Sequence, residues 1–200
     1  VGSNASIPKL SDAPIAMQNM TGGSVKIRGS FTVDMNSTWM LRGVNIYLSD
    51  VDASIIIQGN CTLDAGSNGS TPTQFQICGS ATHWLGIQVA SNGSVFLDQC
   101  NVNSACKAID LLSGSKVKLT GNNFMGNYYS VKATGNVTLL GAGIAHNTFN
   151  GSGINLVACE VVNPHAIDLN NVTQIVIGDQ AQTGQPNTIS NYTVGIVARN

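Results

Sequence analysis

Charged residues are scarce in this 200-residue chain, since Asp, Glu, Lys and Arg make up 10% of it and the net charge is −1. Proteins that bind nucleic acid neutralise phosphates with clusters of basic side chains. The composition therefore argues against a nucleic-acid partner. Lys and Glu, which favour surface helices, are few, whereas Gly, Asn, Ser, Thr and Val are abundant. The chain is expected to be all-β.

Long apolar runs are also absent. No stretch of 18 consecutive apolar residues occurs, so no membrane span is predicted. Residues 1–10 lack the basic and apolar regions of a signal peptide. We expect either that a signal peptide has been removed or that the chain is an internal piece of a longer protein.

A repeat of 22 residues dominates what is present. Three columns of apolar residues keep this step, except for one step of 20 in the second column. The columns are Ile87-x-Val89, Ile109-x-Leu111 and Val131-x-Ala133; Val95-x-Leu97, Val117-x-Leu119 and Val137-x-Leu139; and Val102 with Phe124. Three short alternating segments per period predict a right-handed parallel β-helix, a solenoid with about 20–22 residues per coil.

The repeat also suggests the domain organisation. Residues 1–23 have no period and are predicted to be an irregular N-terminal segment or linker. Residues 24–200 are predicted to form the β-helix. Because the pattern still runs at the last residue, we expect this β-helix to be truncated at its C-terminal end. Two stretches, 64–73 and 141–153, interrupt the period, and we expect the specific features of the protein to lie there.

Five cysteines fit neither a CxxC metal knuckle nor a dense disulfide scaffold. Cys78 and Cys100 are 22 residues apart, which predicts that they are neighbours in adjacent coils and is compatible with a disulfide. A bond between Cys100 and Cys106 across a corner is the competing pair. Unbonded, buried thiols are the third interpretation.

Asp110 and Lys132 are the candidate catalytic pair, because the repeat places them side by side on the outer surface. A polysaccharide lyase needs a basic side chain beside an acidic or Ca²⁺-bearing group. An ordinary exposed ion pair, worth about 0.2–1 kcal/mol, has the same geometry, and we favour that interpretation. The carboxylates that a glycoside hydrolase needs are few and scattered, with Glu160 the single Glu. The NTD, DD, GHG and RIK motifs of polygalacturonases are absent.

Outward aromatic residues suggest a glycan-binding surface. Phe96 is predicted to face outward, with Lys118 beside it in the next coil. Trp84 and Tyr128 belong to another column with 22-residue steps. Aromatic faces with polar neighbours can stack on a pyranose ring. The alternatives are that Trp84 fixes a corner and that Phe96 contacts a neighbouring domain.

No metal or cofactor is predicted. His83, His146 and His165 are far apart in the sequence and share no column of the repeat, which gives little support to a histidine metal site. No GxSxG motif, Ser-His-Asp order or phosphate-binding glycine loop occurs.

Several segments resemble a known family. In that family, a coil of the type W-x-G-I-x-V is followed by S-x-x-L, an Asn and A-x-x-A/G-I. Matching segments here are Trp84–Val89, Ser94–Leu97, Asn101 and Ala105–Ile109. Over residues 22–200 the chain is similar to the right-handed parallel β-helix modules of large secreted Bacteroidota surface proteins. This resemblance implies export, through the type IX secretion system with a separate C-terminal sorting domain.

The sequence thus predicts a rigid extracellular β-helix segment of a larger secreted or cell-surface protein. It would act as a spacer and as an adhesive or glycan-contacting surface. Its expected partners are a polysaccharide or cell-surface glycan, and the secretion machinery during export. The alternative is a polysaccharide-degrading β-helix enzyme, either a lyase or a glycoside hydrolase.

Overall fold

A computed structural model describes residues 7–154, 159, 163–173, 177–178 and 186–199. Two short helical segments, Leu10–Asp12 and Ile15–Gln18 (α1), precede the strands. The strands are β1 (Asn19–Thr21), β2 (Ser24–Ile27), β3 (Ser30–Val33), β4 (Thr38–Arg42), β5 (Asn45–Leu48), β6 (Ser54–Ile57), β7 (Thr62–Gly66), β8 (Gln74–Ile77), β9 (Trp84–Val89), β10 (Ser94–Asp98), β11 (Asn101–Asn103), β12 (Ala105–Leu111), β13 (Lys116–Thr120), β14 (Asn123–Met125), β15 (Tyr129–Thr134), β16 (Thr138–Ala145), β17 (Thr148–Asn150), β18 (His165–Asn170), β19 (Thr188–Ser190) and β20 (Val194–Arg199).

The strands form three sheets in which every pairing between named strands is parallel. The first sheet has the order β1-β4-β7-β10-β13-β16, the second β19-β17-β14-β11-β8-β5-β2 and the third β20-β18-β15-β12-β9-β6-β3. Through β17, the chain visits the three sheets in turn and then returns to the first, one strand further along the axis. This topology confirms the predicted right-handed parallel β-helix. Neither described helix is long and apolar enough to cross a membrane.

The predicted core columns are confirmed in the third sheet. Ile87, Ile109 and Val131 are register neighbours in β9, β12 and β15, and all three are fully buried. Each inward side chain packs on its equivalents in the coils above and below, because parallel strands repeat every 4.8 Å or so along the axis. The core is therefore a continuous apolar column inside three sheets.

The predicted pairing in the last part of the first sheet is wrong. Val117 faces Leu139 rather than Val137, and Leu119 faces Ile144. Residues 140–143 of β16 lie opposite the single residue Lys118 of β13, and this shifts the register of the strand, as a β-bulge does. Val137 is nonetheless buried. The interruption predicted at 141–153 thus begins with the irregular part of β16 and then contains β17, in which Phe149 stacks on Phe124.

Residues 7–21 pack against the first coils. β1 pairs with β4, and the indole nitrogen Nε1 of Trp39 donates a hydrogen bond to the carbonyl oxygen of Met17 at 2.8 Å. Leu10 is fully buried in the core. At least these residues of the stretch predicted to be irregular therefore contact the solenoid.

The other predicted loop, 64–73, begins as a strand. Residues 64–66 belong to β7, and only 67–73 leave the sheet. The buried Thr73 closes this loop, because its hydroxyl donates to the Gly66 carbonyl at 2.6 Å and accepts from the Val44 N–H at 3.2 Å. Because Asp64 lies in β7 and not in the loop, its carboxylate has a fixed place on the outer face of the first sheet.

The predicted disulfide is also wrong. Cys78 and Cys100 are unbonded, and Cys106 is bonded to Cys159, which excludes the competing pair as well. The reason is the register between β8 and β11, where Gln74 pairs with Asn101, a step of 27 residues. Cys78 therefore follows the end of β8, whereas Cys100 precedes the start of β11, and the two lie at opposite ends of the paired strands.

Candidate functional site

The outer face of the first sheet carries two rows of residues, most of them polar or charged, because successive residues of a strand alternate between core and surface. Register pairing defines both rows. The first row is Met40, Asp64, Phe96 and Lys118, and the second row is Arg42, Gly66, Asp98 and Thr120. The rows lie on β4, β7, β10 and β13, which supply a rigid base of four hydrogen-bonded strands.

A concavity of about 290 Å³ lies on this face. We call it the charged groove, and it is lined by Arg42, Asp64–Ser67, Phe96–Asp98 and Lys118. Gly66 forms part of its floor between Arg42 and Asp98. A side chain there would touch the Asp98 carbonyl oxygen at 3.4 Å and the Arg42 Cδ at 3.6 Å. The glycine thus keeps the floor of the groove open.

Arg42 is held in place by three hydrogen bonds. Its guanidinium donates to the carbonyl oxygens of Leu41 and Asp64 and to the Asp64 carboxylate, each at 2.9 Å. The two side chains keep 32% and 29% of their surface exposed, so donors and acceptor oxygens still face solvent. A charge that is fixed and still accessible is suited to bind a polar ligand.

The other charges of the groove are less constrained. The Lys118 ammonium and the Asp98 carboxylate form no ion pair with another described side chain. Phe96 is half-buried, so one part of its ring is anchored and another part faces the groove. An aromatic platform flanked by donors and acceptors is the arrangement that binds a sugar ring.

The glycan-binding residues predicted from the sequence are only partly brought together. Phe96 and Lys118 are register neighbours and both line the groove. Trp84 and Tyr128 are buried and do not form an exposed surface, so their predicted role in glycan binding is wrong. The Trp84 indole nitrogen donates to the Asn103 carbonyl oxygen at 2.8 Å, which agrees with the alternative that this residue fixes a corner.

A bulge explains the error at Trp84. The register between β9 and β12 shifts between Lys107 and Ile109. As a result Trp84 pairs with Ala105, one residue away from the Cys106 that a uniform step of 22 residues predicts. A slip of one residue moves a side chain to the other face of a strand.

Asp110 and Lys132 are register neighbours on the outer face of the third sheet, as the repeat predicts. Their side chains have other contacts, however. The Asp110 carboxylate is bonded to the Lys107 ammonium at 3.0 Å and is buried, and the Lys132 ammonium lies 5.7 Å from the centroid of the Tyr129 ring. The structure therefore gives Asp110 a local ion pair in place of the predicted pair with Lys132.

Asp168 continues this row, because it is the register neighbour of Lys132 in β18. Arg199 binds its carboxylate through two hydrogen bonds of 2.9 and 3.0 Å, and the His165 Nδ1 lies 3.5 Å from it. Such a bidentate pair largely neutralises the carboxylate. Sequence reasoning missed Asp168 because its step from Lys132 is 36 residues, which hides the register.

Arg42 and Asp64, which also line the groove, were missed for the same reason. The step from Met40 to Asp64 is 24 residues and that from Asp64 to Phe96 is 32. Strand pairing constrains the register and leaves the loop length free, so a search at a fixed period does not connect these residues. The alternation of Leu63, Asp64 and Ala65, with apolar residues on both sides of a carboxylate, was the available signal.

One group of described residues has the chemistry of metal ligands. The ligand atoms of His83, Cys106 and Cys159 all lie within 4.8 Å of one another, with the two sulfurs joined as a disulfide. His83 directly precedes β9 and Cys106 is the second residue of β12, so both lie near the N-terminal ends of neighbouring strands of the third sheet. This histidine and these cysteines share no column of the repeat, so sequence reasoning did not identify the group.

The fold defines this chain as a parallel β-helix with a charged groove on the outer face of one sheet. No protein-family model, curated protein or solved structure matches the chain.

Proposed function

We propose that the chain is a rigid extracellular β-helix segment that binds polysaccharide in the charged groove. The observation that carries the proposal is the placement of Phe96 beside Lys118, with the Arg42–Asp64 pair and Asp98 around the same concavity. The volume of the groove is close to the lower end of the range for small-molecule sites, which suits one sugar unit of a longer chain.

The chemistry of the groove suits a pyranose. The Phe96 ring offers an apolar face for the C–H groups of the sugar. Arg42 and Lys118 donate hydrogen bonds to hydroxyl or carboxylate oxygens, whereas Asp64 and Asp98 accept hydrogen bonds from hydroxyls. Because both cations are present, a uronate unit is the favoured ligand, and a neutral sugar is the second.

The scaffold suits the role of a spacer. Its sheets consist of parallel strands that share backbone hydrogen bonds along the axis, and one apolar core runs through the described coils. A solenoid of this kind resists bending, because each coil is hydrogen-bonded to the next through three strands. The groove is thereby presented at a fixed distance from whatever the two ends of the segment join.

The proposed location is the cell surface or the extracellular space, as part of a larger secreted protein. The Cys106–Cys159 disulfide supports this, because disulfides persist in oxidising compartments. The sequence resemblance to Bacteroidota surface modules supports export through the type IX system. Both parts of this proposal are independent of the groove.

A panel of neutral and uronate polysaccharides tests the binding function. The purified chain is mixed with each polymer, and affinity is measured by calorimetry or by retardation in a gel that contains the polymer. Binding to at least one polymer of the panel, with a preference for uronates, is expected. The absence of binding to every polymer would contradict the proposal.

The same mixtures test the enzymatic alternative. A lyase releases unsaturated ends and a glycoside hydrolase releases reducing ends, so both are detected over time in the binding samples. We expect neither product. The binding of Asp110 to Lys107, and not to Lys132, argues against the catalytic pair suggested by the sequence. Either product would replace the binding proposal with the enzymatic one.

A further inference from the structure

We propose that reduction of the Cys106–Cys159 disulfide creates a site for one zinc-like metal ion, with His83 as the third protein ligand. Oxidation to the disulfide would release the ion. This inference is independent of the charged groove, which lies on a different sheet.

The geometry places the three ligands together before any metal binds. All ligand atoms of the group lie within 4.8 Å of one another, and the Cα atoms of the two cysteines are 5.5 Å apart. In a tetrahedral zinc site, with bonds of about 2.0–2.3 Å, neighbouring ligand atoms are roughly 3.5 Å apart. Small side-chain movements therefore separate the two sulfurs and bring the imidazole to the same centre.

The ligand set has the chemistry that zinc prefers. Two thiolates and one imidazole, with a fourth position left to water, form a known type of open zinc site. Soft thiolates favour Zn²⁺ or Cu⁺ over Mg²⁺ or Ca²⁺, which prefer oxygen ligands. The two cysteines and His83 include no carboxylate, so a hard cation is not the expected ligand.

A second residue orients the imidazole. The His83 Nδ1 lies 3.1 Å from the Thr82 hydroxyl oxygen. When Nδ1 carries the proton, it donates this hydrogen bond and leaves the lone pair of Nε2 for a metal. Ligand histidines are commonly held in this way by an oxygen on the opposite ring nitrogen. Thr82 is therefore a positioning residue of the proposed site.

The reaction that opens the site is a thiol–disulfide exchange. Two molecules of a small thiol reduce the disulfide to two cysteine thiols and are themselves oxidised to a disulfide. Binding of Zn²⁺ then displaces one proton from each cysteine. Reoxidation transfers two electrons from the two thiolates to a disulfide oxidant and frees the ion.

The three other cysteines do not offer an equivalent site. Cys61 and Cys100 are buried, and burial raises the pKa of the Cys100 thiol to about 12, which disfavours its thiolate. Cys78 is half-buried and belongs to no group of metal-ligating residues in the described part of the chain. Cysteines exposed by unfolding can bind metal, so the experiment removes these three residues.

The test uses a variant in which Cys61, Cys78 and Cys100 are all replaced by Ser or Ala. The protein is reduced, the reductant is removed without air, and Co²⁺ is added as a spectroscopic substitute for zinc. Thiolate-to-cobalt absorption bands with one equivalent bound are expected in the reduced protein and are expected to be absent from the oxidised protein. Zinc should then displace the cobalt.

Single substitutions in the same background assign the ligands. C106S and C159S should abolish the bands, H83A should weaken binding at least about tenfold, and T82V should weaken it by a smaller factor. Leu85→Ala, an exposed neighbour that supplies no ligand, is the matched control and should bind as the parent does. Circular dichroism checks that each reduced variant keeps its β-structure.

Three results would overturn the proposal. These are the absence of thiolate bands in a reduced and folded parent, equal binding by the oxidised parent, and unchanged affinity in H83A. The last result would show a two-cysteine site without the histidine. None of these results affects the glycan-binding proposal, whose residues lie on the first sheet.

Discussion

Phe96 and Lys118 lie side by side on neighbouring parallel strands, with Asp64 on the other side of Phe96 at the same register. The spacing of parallel strands keeps these side chains roughly 4.8 Å apart along the axis. An aromatic ring between a carboxylate and an ammonium, all fixed on a sheet, is the central feature of the groove. Because its base is a sheet, the groove does not need to form when a ligand arrives.

The first prediction concerns the aromatic platform. Replacing Phe96 with Ala should weaken polysaccharide binding about tenfold, which corresponds to about 1.4 kcal/mol, because the stacking face for the sugar is lost. Affinity is measured with the polymer that binds best in the panel. Tyr47→Ala is the control, since Tyr47 is a partly exposed aromatic residue on the second sheet, outside the groove. Unchanged affinity in F96A would remove Phe96 from the binding site.

The second prediction separates binding from stability at Arg42. Arg42→Gln should lower affinity for a uronate polymer more than for a neutral one, because the guanidinium is a donor suited to a carboxylate. Its effect on the free energy of unfolding should be below about 1 kcal/mol, since the ion pair with Asp64 is about a third exposed. Equal losses for both polymers would contradict the proposed preference for uronates. Arg28→Gln, at an exposed site outside the groove, is the control.

The part of this architecture that sequence could predict is the part with a constant step. The column of Ile87, Ile109 and Val131 follows from a 22-residue repeat because the bulge in β12 lies before Ile109, and the pairing from Ile109 onward keeps that step. Inward apolar residues must repeat coil by coil, so their spacing is visible in the sequence.

The part that could not be predicted lies where the step changes. Asp64 lies 24 residues after its register neighbour Met40, and Asp168 lies 36 residues after its neighbour Lys132. The two cysteines of the disulfide are 53 residues apart. Loops between strands lengthen at little thermodynamic cost, so no fixed period connects such residues. The groove and the disulfide both depend on these irregular steps, and they therefore required the structure.

The third prediction tests the core column. Ile109→Asp should prevent folding, because it places an unpaired charge between two coils at a fully buried position. Loss of the β-structure signal in circular dichroism is the measurement. Ile109→Val, which keeps the apolar character, should cost only about 0.5–1.5 kcal/mol. A folded I109D protein with unchanged melting would show that Ile109 is not in the core.

The fourth prediction concerns a ladder of buried asparagines at one corner. The Asn122 side chain accepts a hydrogen bond from the Cys100 N–H and donates to the carbonyl oxygen of Leu97 and to the Asn147 side chain, each at 2.9 Å. In the next step, the backbone N–H and the side-chain amide of Asn147 both donate to the side-chain oxygen of Asn187, at 2.8 and 3.2 Å. The ladder thus supplies partners for backbone groups that turn the corner inside the core.

Removing one step of this ladder should be costly. Asn122→Ala leaves the Cys100 N–H and the Leu97 carbonyl without their buried partner, and the free energy of unfolding should fall by about 1–3 kcal/mol. Chemical denaturation followed by circular dichroism measures this change. Gln88→Ala, at an exposed position of β9, should change stability by less than about 0.5 kcal/mol. Equal effects of the two substitutions would show that the ladder does not stabilise the corner.

The fifth prediction is a loss of stability at alkaline pH that depends on Cys100. Burial raises the pKa of this thiol from 9.0 to about 12 in the folded protein. Between these values the unfolded chain releases the proton and the folded chain keeps it. The free energy of unfolding should therefore fall as pH rises from about 9 to about 12.

The Cys100→Ala variant lacks this contribution, so its free energy of unfolding should fall less steeply over the same pH range. Tyr192, whose pKa burial raises to about 12, still titrates in both proteins, so the difference in slope isolates the thiol. Identical slopes in denaturation series across this range would show that the Cys100 thiol is not shielded from solvent in the folded state.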